Sequence, residues 1–162
     1  LLAEFDQAAG WVHAVSWSPS GTALAFAGHD ARVVVADVSK EPPAVEVLKL
    51  SMLPFLNLLW LDEQRLVAVG HDPNPQLFTR ASGRWAVGAK LDKAEDKSAA
   101  KSDAKSKFQA LEKTGQEAKD SSLATKHQNC IRTVTGYEGK RGGWVQLATT
   151  GIDGKLVVWS AK

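Results

Sequence analysis

The sequence predicts an all-β protein built from a repeated unit of four short antiparallel strands. Three similar tripeptides mark the repeat: Gly28-His29-Asp30, Gly70-His71-Asp72 and Gly151-Ile152-Asp153. The first two lie 42 positions apart, and the third follows after a further 81, which is one such interval plus an insert. Short apolar segments flank each tripeptide, and a period of about 40 residues is typical of β-propellers. We therefore predict a β-propeller in which each copy of the repeat is one blade.

The first copy, residues 9–50, shows all four strands. Residues 12–17 alternate apolar and polar side chains, as a half-buried strand does. Ser18-Pro19-Ser20-Gly21 then supplies a turn, because proline presets φ and glycine accepts a positive φ. The other strands are predicted at residues 23–27, 32–36 and 45–50.

The other two copies follow the same order. In residues 51–91, strands are predicted at 55–61, 65–69, 76–79 and 85–91; in residues 127–162, they are predicted at 130–134, 144–149 and 155–159. The last copy therefore lacks its outer strand. A propeller typically has 4–8 blades and closes its ring with a strand from the other end of the chain. We interpret the chain as a C-terminal fragment of about three blades, in which residues 1–8 are the outer strand of a preceding blade.

Composition and charge argue against several functions. The net charge of +2 is small, and Lys and Arg form no stripe with interleaved aromatic residues, so no nucleic-acid partner is predicted. No apolar run approaches the roughly 20 residues that cross a bilayer, so no membrane insertion is predicted. Cys130 is the single cysteine, which fits a reducing intracellular setting. The missing initiator Met indicates a chain that begins within a longer protein.

The repeat resembles the WD-repeat consensus. The best match is the segment from Gly151 to Ser160, which is similar to the third-strand signature and carries Trp159. Ala36 and Phe78 stand at the equivalent position in the other copies. The histidine usually found before the first strand of such a repeat is not evident. We predict structural turn roles for Asp30, Asp72, Asp153 and Trp159.

The order of motifs is also similar to one branch of that family, the WD-repeat subunit of the actin-related protein 2/3 complex. The motifs are Gly10-Trp11-Val12-His13, Trp17-Ser18-Pro19-Ser20-Gly21, Gly28-His29-Asp30, the segment from Leu66 to Asp72, and Leu77-Phe78. The resemblance covers the whole chain and implies the C-terminal part of a seven-bladed ring.

That resemblance implies a non-catalytic scaffold and actin-binding subunit of the complex that nucleates branched actin filaments. The implied partners are the actin-related proteins and small subunits of the same complex, mother-filament actin and nucleation-promoting factors. The implied location is the cytoplasm, at the actin cytoskeleton. A WD-repeat scaffold of a different multiprotein assembly is the alternative, and an enzyme with a site in the central channel has the least support.

The insert at residues 92–126 is rich in Lys, Ala, Asp, Glu and Ser and is predicted to be a mobile loop. Within it, Ser106 and Gln109 fit a capping box, so a short helix is predicted near residues 106–114. Phe108 and Leu111 share one face of that helix, and Lys107 lies beside them. This face either docks on a partner or folds back on the propeller rim; the family resemblance favours the partner.

The remaining motifs predict no catalytic residue, no metal site and no cofactor. His29-Asp30 and His71-Asp72 carry metal-ligand side chains, but they belong to different blades, and Asp in a turn caps nearby backbone N–H groups. Neither a nucleophile elbow nor a nucleotide-binding glycine loop occurs. Cys130 is predicted to be a small buried apolar residue. Most of the Trp residues are predicted to lie in the core, with Trp11 and Trp85 near strand ends where they are open to solvent.

Overall fold

A computed structural model describes residues 2–92, 123–138 and 144–160, where the chain forms β-strands and no helix. The strands are β1 (Val12–Trp17), β2 (Ala23–Gly28), β3 (Arg32–Asp37), β4 (Ala44–Lys49), β5 (Phe55–Asp62), β6 (Arg65–Gly70), β7 (Gln76–Ala81), β8 (Arg84–Lys90), β9 (Ile131–Glu138), β10 (Trp144–Gly151) and β11 (Leu156–Ser160). Every predicted strand from residue 12 onward has a counterpart. The prediction of an all-β fold is therefore confirmed.

The strands form three antiparallel sheets, one for each copy of the repeat. Their orders are β1-β2-β3-β4 in the first blade, β5-β6-β7-β8 in the second and β9-β10-β11 in the third. Neighbours in the chain are neighbours in the sheet, because the connecting turns are short and local. In the first turn, for example, Gly21 has a φ of 72° and donates its N–H to the Ser18 carbonyl at 2.9 Å.

Residues 2–8 form no strand. The segment instead contacts the first blade, where Gln7 accepts a hydrogen bond from Arg32 Nη1 at 2.8 Å and Phe5 lies against Phe26. A strand requires a hydrogen-bonded neighbour, and none of the three sheets offers one to this segment. The assignment of residues 1–8 to a preceding blade stays a prediction.

The second blade lies between the other two, and its strand β6 faces both of them. Leu66 and Ala68 belong to a buried cluster with the first blade, whereas Val67 and Val69 belong to one with the third blade. Alternate side chains of a strand point to opposite faces of the sheet, so β6 is apolar on both faces and buried from Leu66 to Gly70. Each removal of such a side chain from water contributes about 1.5–3 kcal/mol. This burial holds the three sheets in one stack.

A tryptophan pair joins the first and second blades. Trp60 packs edge-on against Trp85 with ring centroids 5.3 Å apart, and its Nε1 donates to the Ser16 carbonyl of β1 at 3.0 Å. The exposure expected for Trp85 is wrong, because only 6% of this residue is accessible. Trp17, expected in the core, is 56% exposed because it points away from the second blade.

The outward faces of the first and third blades carry exposed apolar side chains. They are Val15 and Trp17 on β1, and Leu156 and Val158 on β11. Trp159, which follows Val158, packs inward against the buried cluster that the second and third blades share. The described part of the chain contains no helix long and apolar enough to cross a membrane.

Candidate functional site

Each of the three predicted turn aspartates accepts hydrogen bonds from backbone N–H groups. Asp30 accepts from Ala9 at 3.0 Å, and Asp72 accepts from Asn74 at 2.9 Å. Asp153 accepts from Gln128 at 2.7 Å and from Lys155 at 3.1 Å. Asp30 and Asp153 therefore tie the β2–β3 and β10–β11 turns to the segment that leads into the blade.

In the third blade, Asp153 belongs to a buried network of four side chains. His127 Nδ1 lies 3.1 Å from Asp153 Oδ2, and His127 Nε2 lies 2.8 Å from Thr149 Oγ1. Trp159 Nε1 donates to the same Thr149 oxygen at 2.8 Å. His127 and Thr149 are fully buried. The network connects the entry to β9 with β10, the β10–β11 turn and β11.

Every member of this network has a hydrogen-bond partner. Nδ1 of His127 faces the Asp153 carboxylate, and Nε2 of the same ring faces the Thr149 hydroxyl. Thr149 in turn accepts from the Trp159 indole. Buried and fully paired, such a network favours one arrangement of the strands.

The pKa of Asp153 is set by opposing effects. Burial of the carboxyl raises its pKa, but hydrogen bonds from the backbone N–H groups of Gln128 and Lys155 and from His127 outweigh that effect and lower it to about 2. The carboxylate therefore stays ionised at neutral pH, as an acceptor that the turn needs.

The same three groups — carboxylate, imidazole and hydroxyl — occur in hydrolase triads, but this arrangement has no access to a substrate. Thr149 has no exposed surface, and its hydroxyl oxygen is already held by the Trp159 indole. A nucleophile needs a reacting atom within about 3 Å. Among the described residues, this set is a structural device and not a catalytic one.

The first blade replaces this network with apolar packing. Ala9 bonds Asp30 as Gln128 bonds Asp153, so Ala8 stands where His127 stands. Phe26 takes the position of Thr149, two residues before the turn glycine, and Ala36 takes that of Trp159. The first blade therefore has a large residue on β2 and a small one on β3. The third blade has the reverse, a small Thr149 on β10 and a large Trp159 on β11. In the described part of the chain, the complete network occurs in the third blade alone.

The sequence analysis missed His127 and Thr149. The histidine that precedes the first strand of a repeat was not evident, because Lys126 and not glycine comes before it and a low-complexity insert precedes both. A usable signal was present. Thr149 lies four residues before Asp153 and ten before Trp159, and its hydroxyl accepts from the Trp159 indole.

The two Gly-His-Asp turns lie closer together than their positions in separate blades suggested. The His29 and His71 rings are 6.4 Å apart, and His13 Nε2 lies 2.8 Å from His29 Nδ1. The two turns do belong to different blades, as the sequence interpretation states, and among the described residues no three His, Cys, Asp or Glu side chains are grouped to hold a metal ion. The neighbouring carboxylates form ion pairs instead, Asp30 with Arg32 at 2.7 Å and Asp72 with Lys90 at 2.9 Å.

A groove of about 570 Å³ lies between the first and second blades, beside the start of β2 and the β5–β6 turn. Trp60 and Trp85 form its floor, and charged residues of both signs surround it. Two of its carboxylates are engaged: Glu46 accepts from the backbone N–H of Trp85 at 2.8 Å, and Glu63 accepts from the backbone N–H of Ser20 at 2.7 Å. These two hydrogen bonds join the first blade to the second across the groove.

Cys130 is buried, as expected, with 7% of its surface accessible. Burial raises the pKa of its thiol, and the nearby Arg132 charge offsets this only in part. A thiol in this state is a poor nucleophile. The insert residues Lys107, Phe108 and Leu111 lie outside the described residues.

Three stacked antiparallel sheets, with a buried Asp–His–Thr–Trp network in the last, define part of a β-propeller of the WD-repeat class. No protein-family model matches the chain. Curated relatives do match it: two Xenopus laevis proteins, actin-related protein 2/3 complex subunits 1A-B and 1A-A, are each 38% identical over 166 residues, which is 100% of this chain and 45% of the relative. Actin-related protein 2/3 complex subunit 1 of Schizosaccharomyces pombe is 36% identical over 171 residues, covering 93% of this chain and 45% of the relative.

The chain is a homologue of actin-related protein 2/3 complex subunit 1. It spans slightly less than half the length of these relatives. This agrees with the family resemblance given by the sequence motifs.

Proposed function

We propose that the chain is part of a non-catalytic scaffold subunit of an actin-related protein 2/3 complex. The observation that carries this proposal is the 38% identity to relatives named as subunit 1 of that complex, over the full length of the chain. The fold supports it, because stacked sheets joined by short turns provide a rigid body with loops at both ends. In this role the protein works in the cytoplasm, at the actin cytoskeleton.

The buried polar groups argue for a scaffold and against an enzyme. The Asp153, His127 and Thr149 side chains use their hydrogen-bonding capacity on one another and on backbone groups. Among the described residues, no set of three or more His, Cys, Asp or Glu side chains is arranged to hold a metal ion. The surface available to the complex consists of loops, strand edges and the groove between the blades.

The insert at residues 92–126 is proposed to contact mother-filament actin and nucleation-promoting factors. Its sequence supplies an apolar face, Phe108 and Leu111, with Lys107 beside it. A helix of this length is marginal in water, because isolated helices shorter than about 12–15 residues seldom hold. Burial of the two side chains in a partner's groove would contribute about 1.5–3 kcal/mol each.

Affinity purification tests the scaffold role. The tagged full-length protein that contains this chain should co-purify with two actin-related proteins and several small subunits. A stable complex that lacks actin-related proteins would instead favour a WD-repeat scaffold of a different assembly. Turnover of a small substrate by the purified protein would favour an enzyme.

The insert is tested separately, in complexes that assemble normally. Phe108→Ser with Leu111→Ser should lower branch formation in an actin polymerisation assay, while Gln116→Ser, outside the predicted helix, should not. Unchanged branching with the double variant would remove the proposed actin contact and leave the scaffold role standing.

A further inference from the structure

Three histidines from separate segments meet at one end of the first and second blades. His13 lies in β1, His29 in the β2–β3 turn and His71 in the β6–β7 turn. His13 Nε2 and His29 Nδ1 are 2.8 Å apart, and the ring centroids of these two residues are 5.0 Å apart. The Trp11 ring lies beside both, at 5.5 Å from His29 and 6.5 Å from His13. We call this group the imidazole cluster.

A β-bulge brings His13 to His29. The register of β1 and β2 passes from Val12↔Gly28 to Ala14↔Ala27, which leaves His13 as the extra residue. A bulge turns its extra side chain away from the regular alternation of the strand. His13 is therefore aimed at the turn that carries His29, whose N–H closes the turn on the Trp11 carbonyl at 2.8 Å.

The same bulge recurs in the other blades with different residues. Leu56 is the extra residue of β5 and Arg132 that of β9. The matching turn positions hold His71 and Ile152, whose N–H groups close on Pro54 and Cys130. The fold thus supplies a bulge-and-turn pair in each blade, and the sequence places two imidazoles in it only in the first. Packing of the core does not require these two imidazoles, because this end of the blade is at the surface.

The two ring nitrogens are close enough to bind one metal ion together. They share a hydrogen bond at 2.8 Å, and with metal–nitrogen distances of about 2.0–2.1 Å two nitrogens at a right angle would be about 2.9 Å apart, so the rings need to turn but hardly to separate. Tetragonal sites with nitrogen ligands suit Cu²⁺ and Ni²⁺, and Cu²⁺ binds most tightly in the divalent series.

We propose that His13 and His29 form a two-imidazole site for Cu²⁺. Water completes the coordination, because the described residues offer no set of three or more protein ligands. The nitrogen that now donates the shared hydrogen bond transfers its proton to the other nitrogen of the same ring, so that both facing nitrogens present lone pairs to the ion. No oxidation or reduction is involved. His71 borders the site, with its ring 6.4 Å from that of His29.

Trp11 provides a signal for binding. It is 75% exposed and adjacent to His29, and a paramagnetic Cu²⁺ ion at this distance quenches indole emission. Titration of the full chain with Cu²⁺ alone, near neutral pH in a buffer that does not chelate metals, should give saturable quenching with one ion per chain. Trp11→Phe should remove most of the quenching but leave the calorimetric binding curve in place.

The ligand variants decide the proposal. His13→Gln and His29→Gln should each lower Cu²⁺ affinity at least about tenfold, since even changes to groups that support a metal ligand cost about 10–100-fold. Arg132→Gln, at the equivalent bulge of the third blade, should bind like the unmodified chain. Circular dichroism checks that each variant is folded. The proposal is overturned if binding does not saturate, if the two histidine variants titrate like the unmodified chain, or if Zn²⁺ binds more tightly than Cu²⁺.

Discussion

Trp159 donates its indole N–H to Thr149 Oγ1 at 2.8 Å, and the same oxygen lies 2.8 Å from His127 Nε2. One hydroxyl thus joins the last strand to the segment that enters the blade. Because His127 and Thr149 are fully buried, the hydroxyl is a point where a single substitution has a large effect.

Thr149→Val tests this hydroxyl. Valine has nearly the same shape but leaves His127 Nε2 and Trp159 Nε1 without a partner, and each unpaired buried polar group costs about 1–3 kcal/mol. The free energy of unfolding should fall by about 2–4 kcal/mol in urea denaturation followed by fluorescence. Thr135→Val, at an exposed position of β9, is the control and should change it by less than about 0.5 kcal/mol. Equal stability of the two variants would contradict the role given to Thr149.

Asp153 should make stability depend on pH in acid. Its folded pKa of about 2 lies below the roughly 3.9 of an unfolded aspartate, so the folded state binds the proton less readily. Its contribution is therefore fully present above about pH 4 and is lost as pH falls towards 2. Asp153→Asn should be less stable than the unmodified chain at pH 7, and urea midpoints should converge as pH falls through this window. A difference that stays constant from neutral pH to pH 2 would show that the carboxylate charge is not involved.

Trp60→Phe tests the contact between the first two blades. Phenylalanine retains most of the buried ring but loses the N–H that bonds the Ser16 carbonyl at 3.0 Å. The free energy of unfolding should fall by about 1–3 kcal/mol, because a buried carbonyl loses its donor and the ring leaves a space. Trp17→Phe is the matched control at an exposed position of β1 and should have little effect. If both substitutions lower the free energy of unfolding equally, the hydrogen bond from Trp60 to Ser16 does not stabilise the fold.

Gly70 ends β6 beside Pro54 and Phe55, where the chain enters the second blade and leaves no room for a Cβ. A Cβ at this position would lie 2.3 Å from the Pro54 carbonyl oxygen and 2.6 Å from the Phe55 Cα, both of which are backbone atoms that cannot rotate away. Gly70→Ala should therefore cost more than Gly154→Ala. At Gly154, the neighbourhood is open and the cost is the positive φ of 76° alone, about 1–2 kcal/mol. Thermal unfolding of the two variants checks the order, and a Gly70→Ala variant as stable as Gly154→Ala would contradict it.

The strand order was predictable because the blade is a local structure. Within each blade, every strand pairs with the next one along the chain, so apolar segments, turn residues and a repeat period are sufficient to locate the strands. Strand ends were less accurate. The strand predicted at residues 130–134 continues to Glu138 as β9. Gly136 is a residue type that favours turns, but here it pairs with Leu147 within the sheet.

The candidate sites were predictable only in part. The turn aspartates could be identified because each follows a glycine by two positions in a motif that repeats along the chain. The partners of His127 could not be predicted, because Thr149 and Asp153 lie 22 and 26 residues further along the chain. The imidazole cluster was beyond sequence reasoning for a similar reason: it depends on a bulge at His13 and on the stacking of two blades.

The sequence by itself determined the class of fold, the number of blades in this chain and the resemblance to the WD-repeat subunit of the actin-related protein 2/3 complex. These follow from short-range patterns that repeat along the chain. Only the tertiary structure decided which blade carries a polar network, which tryptophans are buried and which histidines meet. Those features depend on side chains from distant segments, whose distances are fixed when the sheets pack and not by the order of residues.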